Sequence, residues 1–221
     1  MTPDVLNRLL AARVERQAVA LFTNLQTGTQ RIVARAVADE ALEKRFRFDQ
    51  SGIVATDGGE EFCAIHSPPL RLVIIGAVHI AQGLIPIAQS AGYDITVIDP
   101  RGAFATGARF PGVTLLADWP QDVLPSMALD ARTGFVALTH DPKIDDPALL
   151  LALRSEVFYV GALGSSKTQA SRRERLAQQG LTGAQIAKIH GPIGLRIGAV
   201  GAVEIAISIM AEMTQCLRLG V

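Results

Sequence analysis

Apolar positions along the chain change their period near residue 68, and the change divides the sequence in two. Before it, Val5, Leu6, Leu9, Leu10 and Val14 recur at helical spacing behind Pro3, which predicts an amphipathic helix over about 4–16. Gln17 to Leu25 and Gln30 to Val33 flank Gln26-Thr27-Gly28-Thr29, a run with hairpin-turn chemistry. A second hairpin is expected between Gly52 to Thr56 and Glu61 to His66, across Asp57-Gly58-Gly59, with a short helix over Ala36 to Phe46 between the two. Residues 1–67 therefore read as a small α+β module. Ser67-Pro68-Pro69 ends it, because consecutive prolines continue neither helix nor strand.

From residue 70 to 221 apolar runs of strand length alternate with helical patterns. Strands are expected near 71–75, 94–98, 113–116, 134–138 and 157–160, and helices near 78–91, 120–126, 145–154, 165–179, 182–190 and 201–218. Such alternation predicts an α/β fold with a doubly wound, Rossmann-like parallel sheet covered by helices on both faces. Ligands of such sheets lie outside the carboxyl ends of the strands, where the topology switches direction. Four segments should converge there: Gly76-Ala77-Val78-His79, Asp99-Pro100-Arg101, Thr139-His140-Asp141-Pro142-Lys143 and Gly161-Ala162-Leu163-Gly164-Ser165.

The first of these has the logic of a nucleotide turn. Gly76 permits a tight turn out of the strand, the following helix N-terminus offers free N–H groups to a phosphate, and Asp99 ends the next strand where it can bond a ribose hydroxyl. Val78 replaces the second glycine of the dinucleotide fingerprint, and Ala81 replaces the third. His79 is expected either to touch ligand or to cap the helix. His140 can act as base, ligand or donor to an anion, and Lys143 can pair with phosphate, whereas Asp145 or Asp146 is expected to cap the following helix. In the last segment Gly161 and Gly164 suggest close backbone approach, and Ser165 can cap a helix or bind phosphate. The glycine-rich but otherwise apolar run His190 to Ala199 reads as an ordered loop against a pocket mouth, with His190 structural and Glu204 placed for the dipole of the last helix.

Composition removes several classes of function. Twenty-one basic and twenty-one acidic residues balance, so neither nucleic acid nor an anionic membrane is an expected partner. No apolar run reaches the length of a membrane span and the first residues lack a secretory pattern, so a cytoplasmic protein is expected. Cys63 and Cys216 stand far apart, outside any metal-ligand spacing, and read as packing residues. Neither a nucleophile elbow nor a histidine-glutamate zinc helix is present, so a binding pocket is more evident than an acid–base machine.

Taken together, Gly76-Ala77-Val78-His79, Ile98-Asp99-Pro100-Arg101, Arg109-Phe110-Pro111, Leu138 to Lys143, Tyr159 to Ser165 and Pro192-Ile193-Gly194-Leu195 resemble the XdhC/CoxI family, accessory proteins of molybdenum hydroxylases. The resemblance implies a chaperone that binds molybdenum cofactor, as molybdopterin or its dinucleotide form, supports its sulfuration, with a cysteine desulfurase as a further partner, and delivers it to an apo-hydroxylase of the xanthine dehydrogenase type. On this reading Gly76, Val78, His79, Asp99 and Arg101 line the first part of the cofactor site, Thr139, His140 and Lys143 the middle, and Gly161, Gly164 and Ser165 the far wall. Two alternatives stay open: an NAD(H)-dependent oxidoreductase, suggested by the position of Asp99, and a nucleotide-sensing module. The apolar last helix makes a homodimer the expected oligomer.

Overall fold

A computed structural model describes residues 1–56 and 58–220, so Asp57 of the expected second turn lies outside the described residues. The chain divides into two compact units, Met1–Pro68 and Pro69–Val221. The first opens with α1 (Pro3–Val14), where the Thr2 hydroxyl accepts the N–H of Val5 and Pro3 occupies the first turn. Strands β1 (Val19–Asn24) and β2 (Gln30–Ala34) form the first hairpin, and a short 3-10 turn leads into α2 (Glu40–Phe48), capped by Asp39. Strands β3 (Gly52–Thr56) and β4 (Gly59–His66) complete an antiparallel sheet in the order β2-β1-β4-β3. Ala20, Phe22 and Cys63 meet Leu42 and Phe46 of α2 to form its small core. Cys63 is thus a packing residue, and burial pushes its thiol up.

The second unit contains β5 (Leu70–Ile75), α3 (His79–Ser90), β6 (Tyr93–Ile98), β7 (Thr114–Leu116), the short α4 (Pro120–Val123) and β8 (Thr133–Ala137). It continues through α5 (Pro142–Ala152), β9 (Tyr159–Ala162), α6 (Ser166–Gln178), α7 (Gly183–Ala187), the two-residue β10 (Ile189–His190) and α8 (Ala202–Leu219). The six strands pair in parallel in the order β10-β9-β8-β5-β6-β7. The sheet is therefore doubly wound, as the sequence pattern predicts.

Side-chain alternation assigns each strand residue to a face. Leu72, Ile74, Ile95, Val97, Val136 and Tyr159 pack with α3 and α8, whereas Val73, Ile75, Ile98, Phe135, Ala137 and Val160 pack with α5, α6 and α7. Both faces are buried, which explains the near-continuous apolar runs of the strands. Several boundaries differ from expectation: α2 runs Glu40–Phe48 rather than 36–46, and the helix expected over 120–126 is α-helical only to Val123 before a 3-10 turn. Helix α5 begins at Pro142 rather than 145, because Asp141 caps it and proline suits the first turn. Helix α7 ends at Ala187 because Ile189 and His190 leave it to pair with Val160 and Gly161. Strand β9 runs two residues later than expected, to Ala162.

Candidate functional site

β5 lies between β6 and β8, with α3 after β5 on one face and α5 after β8 on the other, so the switch point of the sheet falls at the carboxyl ends of β5 and β8, where ligands of such sheets bind. Gly76 turns out of β5 with φ +112°, a conformation L side chains rarely adopt. A Cβ there would lie 2.8 Å from Thr139 Cγ2, so the turns after β5 and β8 pack directly against each other. Helix α3 starts immediately beyond, and among the described residues no side chain accepts its first-turn N–H groups. Two other long helices starting at this edge are capped by their own residues: Asp141 accepts from Lys143 N (2.9 Å) and Ser165 Oγ from Thr168 N (3.2 Å), whereas at α8 Glu204 accepts only from Val200 N and Gly201 N (2.8 and 3.2 Å), ahead of the first turn. The α3 N-terminus therefore presents first-turn donors and a positive dipole end beside the Gly76 turn. His79 is exposed on its first turn, and Val78 packs against the core on the α3 side.

Asp99 sits at the end of β6, as expected, but its carboxylate is turned inward and fully buried. Its oxygens accept from Ala77 N (2.8 Å), Arg101 N (3.0 Å), Arg101 Nε (2.9 Å) and Arg101 Nη2 (2.8 Å). Burial pushes this carboxyl up, but the Arg101 guanidinium and the two N–H donors outweigh it and hold it below its ordinary value. Asp99 therefore clamps the Gly76 turn to the β6 end, with little left for a ribose hydroxyl. Arg101 is spent on the same pair and stacks over Phe104 at 4.9 Å. Arg109 reinforces the arrangement by donating to the carbonyls of Ala77 (3.1 Å) and Phe104 (2.8 Å).

The turns after β8 and β9 are joined from beneath. Asp145, expected as a cap, is instead a buried residue of the first α5 turn; its oxygens accept from Thr139 Oγ1 (2.6 Å) and His140 N (3.1 Å). It lies 3.5 Å from the buried Arg172 of α6, whose guanidinium also donates to Gln169 Oε1 (2.6 Å) and the Leu163 carbonyl (3.1 Å). Burial raises Asp145 and lowers Arg172, in each case against the attraction of the partner. Asp146 is likewise buried and paired with Arg175 rather than capping. Above this network His140 is exposed and holds a left-handed backbone at φ 63°, and Lys143 is exposed beside it. Gly161 is buried where a Cβ would strike Ile193 and Tyr159, so packing explains it; Gly164 takes φ +137° before the Ser165 cap.

The carboxyl edge also carries a cleft of about 730 Å³, lined by Leu163, Ser166, residues 190–199, Ile205, Ser208 and Glu212. His190, read from sequence as structural, belongs to its wall. It stacks on Tyr159 at 4.7 Å, places Nδ1 3.4 Å from Glu212 Oε1, and has Nε2 3.6 Å from Cys216 Sγ. Tyr159 Oη and Gly194 N (2.8 Å) both donate to Glu212 Oε2. Burial pushes Glu212 up, yet the His190, Tyr159 and Gly194 donors prevail and hold it below the usual carboxylate range. Burial and Glu212 raise the Cys216 thiol, in keeping with a packing role. Ser208 and Glu212 were missed in sequence, although their four-residue spacing among the apolar core positions Ala206, Ile209 and Met213 was the available signal. No group of three or more metal-ligating side chains occurs among the described residues, and none of their helices is long and apolar enough to cross a membrane.

The XdhC Rossmann domain family matches residues 72–213. An uncharacterized Escherichia coli K12 protein, YqeB, is 31% identical over 154 residues, covering 70% of this chain and 28% of the relative. A Bacillus subtilis strain 168 protein, named as a probable subunit of xanthine dehydrogenase, is 31% identical over 150 residues, covering 67% of this chain and 43% of the relative. The molybdenum cofactor insertion chaperone PaoD of Escherichia coli K12 is 30% identical over 146 residues, covering 66% and 40%. The chain thus spans less than half the length of these three relatives. In structure, it is similar to a xanthine dehydrogenase from Bacillus halodurans, with TM-score 0.72, 26% identity, and coverage of 98% of this chain and 67% of that one.

Proposed function

The chain belongs to the XdhC family through its Rossmann domain, and from that premise we propose that it is an accessory factor that binds molybdenum cofactor and supports its sulfuration and insertion into a xanthine-dehydrogenase-type hydroxylase. The observation that carries the reading is the uncapped N-terminus of α3 beside the Gly76 turn at the switch point of the sheet. A phosphate-bearing ligand fits it, since unsatisfied first-turn N–H groups and the helix dipole both favour an anion. Gly76, Val78 and His79 would hold the phosphate end, with Thr139, His140 and Lys143 on the facing wall. Asp99, Arg101, Gly161, Gly164 and Ser165 shape that edge through the clamp, packing and cap they form. The names carried by two relatives, a xanthine dehydrogenase subunit and a molybdenum cofactor insertion chaperone, support the same role.

The nicotinamide alternative loses its main support because both Asp99 oxygens are occupied by protein donors. A cysteine desulfurase and a second copy of the chain are the further partners of this proposal, which places its work in the cytoplasm. The test is to incubate the anaerobically purified chain with molybdenum cofactor or with NAD(H), remove free ligand by gel filtration, and add the molybdenum-loaded fraction to apo-hydroxylase. Molybdenum retained at near one equivalent, followed by hydroxylase activation, is expected. Selective retention of NAD(H) would overturn the proposal.

A further inference from the structure

Helix α3 contains no Asp, Glu, Lys or Arg from His79 to Ser90, and its first turns are bordered by apolar side chains that the fold leaves in water. On one border stands Val203 of α8. A Cβ at Gly83 would lie 3.6 Å from Val203 Cγ2, and Gly83 shares a face of α3 with His79, four residues earlier. Val203 is 60% exposed, and Ile207, one turn further along the same face of α8, is 48% exposed. Val200, just ahead of the helix, is 86% exposed, and Ile197 in the preceding loop is 55% exposed. Helix α8 already buries Ala206, Ile209, Met210, Met213 and Cys216 in the core, so this second apolar line exceeds what packing uses. Exposed Phe104 stands on the other border, in the loop after β6, where Arg109 joins its carbonyl to that of Ala77.

Size and place together select the occupant. Four such side chains offer a few hundred Å², the scale of a monomer's largest apolar patch, which is often functional. A standard stable complex takes about 800 Å² from each partner, so the line suits a protein that docks and leaves better than a permanent second copy. A ligand on the α3 N-terminus would depart between Val203 and Phe104, and a protein seated on that border covers the exit and keeps water from the transfer. Charge adds a further element. Glu204 turns its carboxylate back on Val200 N and Gly201 N, whereas exposed Arg196 has no carboxylate partner among the described residues. We propose that Ile197, Val200, Val203 and Ile207 form the docking surface for the hydroxylase that receives the cofactor, which meets them with an apolar patch and offers Arg196 a carboxylate. The inference rests on the accessory-factor reading and names the surface through which the partner of that reading is met.

The test places a charge on the surface of the full chain, as Val200→Glu and Ile207→Glu, singly and together. The probe is the xanthine dehydrogenase of the same organism, prepared as apo-enzyme from cells that make no molybdenum cofactor. Its binding is followed by biolayer interferometry and its activation by the molybdenum-loaded chain is then assayed. Each variant should retain molybdenum like wild type, bind the apo-enzyme about tenfold or more weakly, and activate it correspondingly slowly. The same charge at Val37, exposed in the first unit, should change neither binding nor activation. Val200→Glu decides the matter alone if circular dichroism shows that Ile207→Glu does not fold, since Val200 lies outside the helix. Apo-enzyme binding that is unchanged in a folded variant, or lost equally in Val37→Glu, overturns the proposal. So does a wild-type dimer that light scattering shows to be split by Val200→Glu, which would give the surface to a second copy. Wild-type chain that retains molybdenum and activates the apo-enzyme just as Val200→Glu does would sink the docking surface and leave the accessory role intact. Wild-type chain that retains no molybdenum, yet binds the apo-enzyme through Val200, would uphold the surface and sink the cofactor-binding reading.

Discussion

Asp145 and Arg172 are 3.5 Å apart and both are almost sealed from solvent, so one buried ion pair ties the turn after β8 to the turn after β9. The Asp145 carboxylate also fixes Thr139 and the backbone of His140, and Arg172 fixes Leu163 and Gln169. Two walls of the carboxyl edge thus share one charged link beneath them.

Removing one partner leaves the other charge buried without compensation, and the loss exceeds the net contribution of the pair. Asp145→Leu alone, or Arg172→Met alone, is expected to lower unfolding free energy by about 3–5 kcal/mol. The apolar double variant Asp145→Leu with Arg172→Met should recover much of that loss, because desolvation of both charges disappears together. Chemical denaturation of the four-member cycle checks this; a double variant as unstable as the sum of the singles would contradict it.

Gly76 should tolerate no side chain, for two separable reasons. Its φ of +112° strains any L residue, and a Cβ would lie 2.8 Å from Thr139 Cγ2. Gly76→Ala is expected to cost at least about 1–3 kcal/mol from the backbone alone. Adding Thr139→Ser removes the opposing methyl and should return the steric part but not the conformational part. Thermal melts of both variants separate the two contributions, and absence of any rescue would show that the two turns do not meet at Thr139.

Asp99 gives stability a pH dependence with a definite sign. Its folded carboxyl lies below the unfolded value of about 3.9, so the stabilisation it brings is present above that pH and is lost as pH falls through the folded value. Asp99→Asn should cost about 1–3 kcal/mol near neutrality, the scale of a charged hydrogen bond, and should flatten the acid limb. Melting temperatures between pH 3 and 7 test this, and parallel curves for variant and wild type would reject the assignment.

The second unit was legible because each strand is buried on both faces and each is bounded by glycine, proline or a polar turn. Val73 and Ile74, facing opposite layers, are both apolar, and that run is what sequence reading detects. Strand β10 was not legible, since two residues carry no period, and Ile189 joins the sheet only through its pairing with Val160. At the site, Gly76 and Thr139 were placed correctly at the edge, but the inward turn of Asp99 depends on Arg101 and Ala77 N, a tertiary choice that spacing does not encode. His190 and Glu212 stand twenty-two positions apart (212 minus 190), and neither has a local motif. Only the packing of α8 on the sheet brings them to one cleft.

His140 separates binding from stability more cleanly than any other residue at this edge. Its left-handed backbone costs a non-glycine residue about 1–2 kcal/mol, whereas its N–H is held by Asp145 whatever the side chain. His140→Gly relieves that strain and gains a comparable entropy in the unfolded chain, so stability should stay within about 1 kcal/mol of wild type. The exposed imidazole is meanwhile lost from the carboxyl edge. If the imidazole contacts cofactor, the variant should melt like wild type yet retain clearly less molybdenum after gel filtration. Strain kept at an exposed binding edge would then be serving the ligand rather than the fold. Full retention by His140→Gly would instead assign the left-handed turn to the Asp145 network alone.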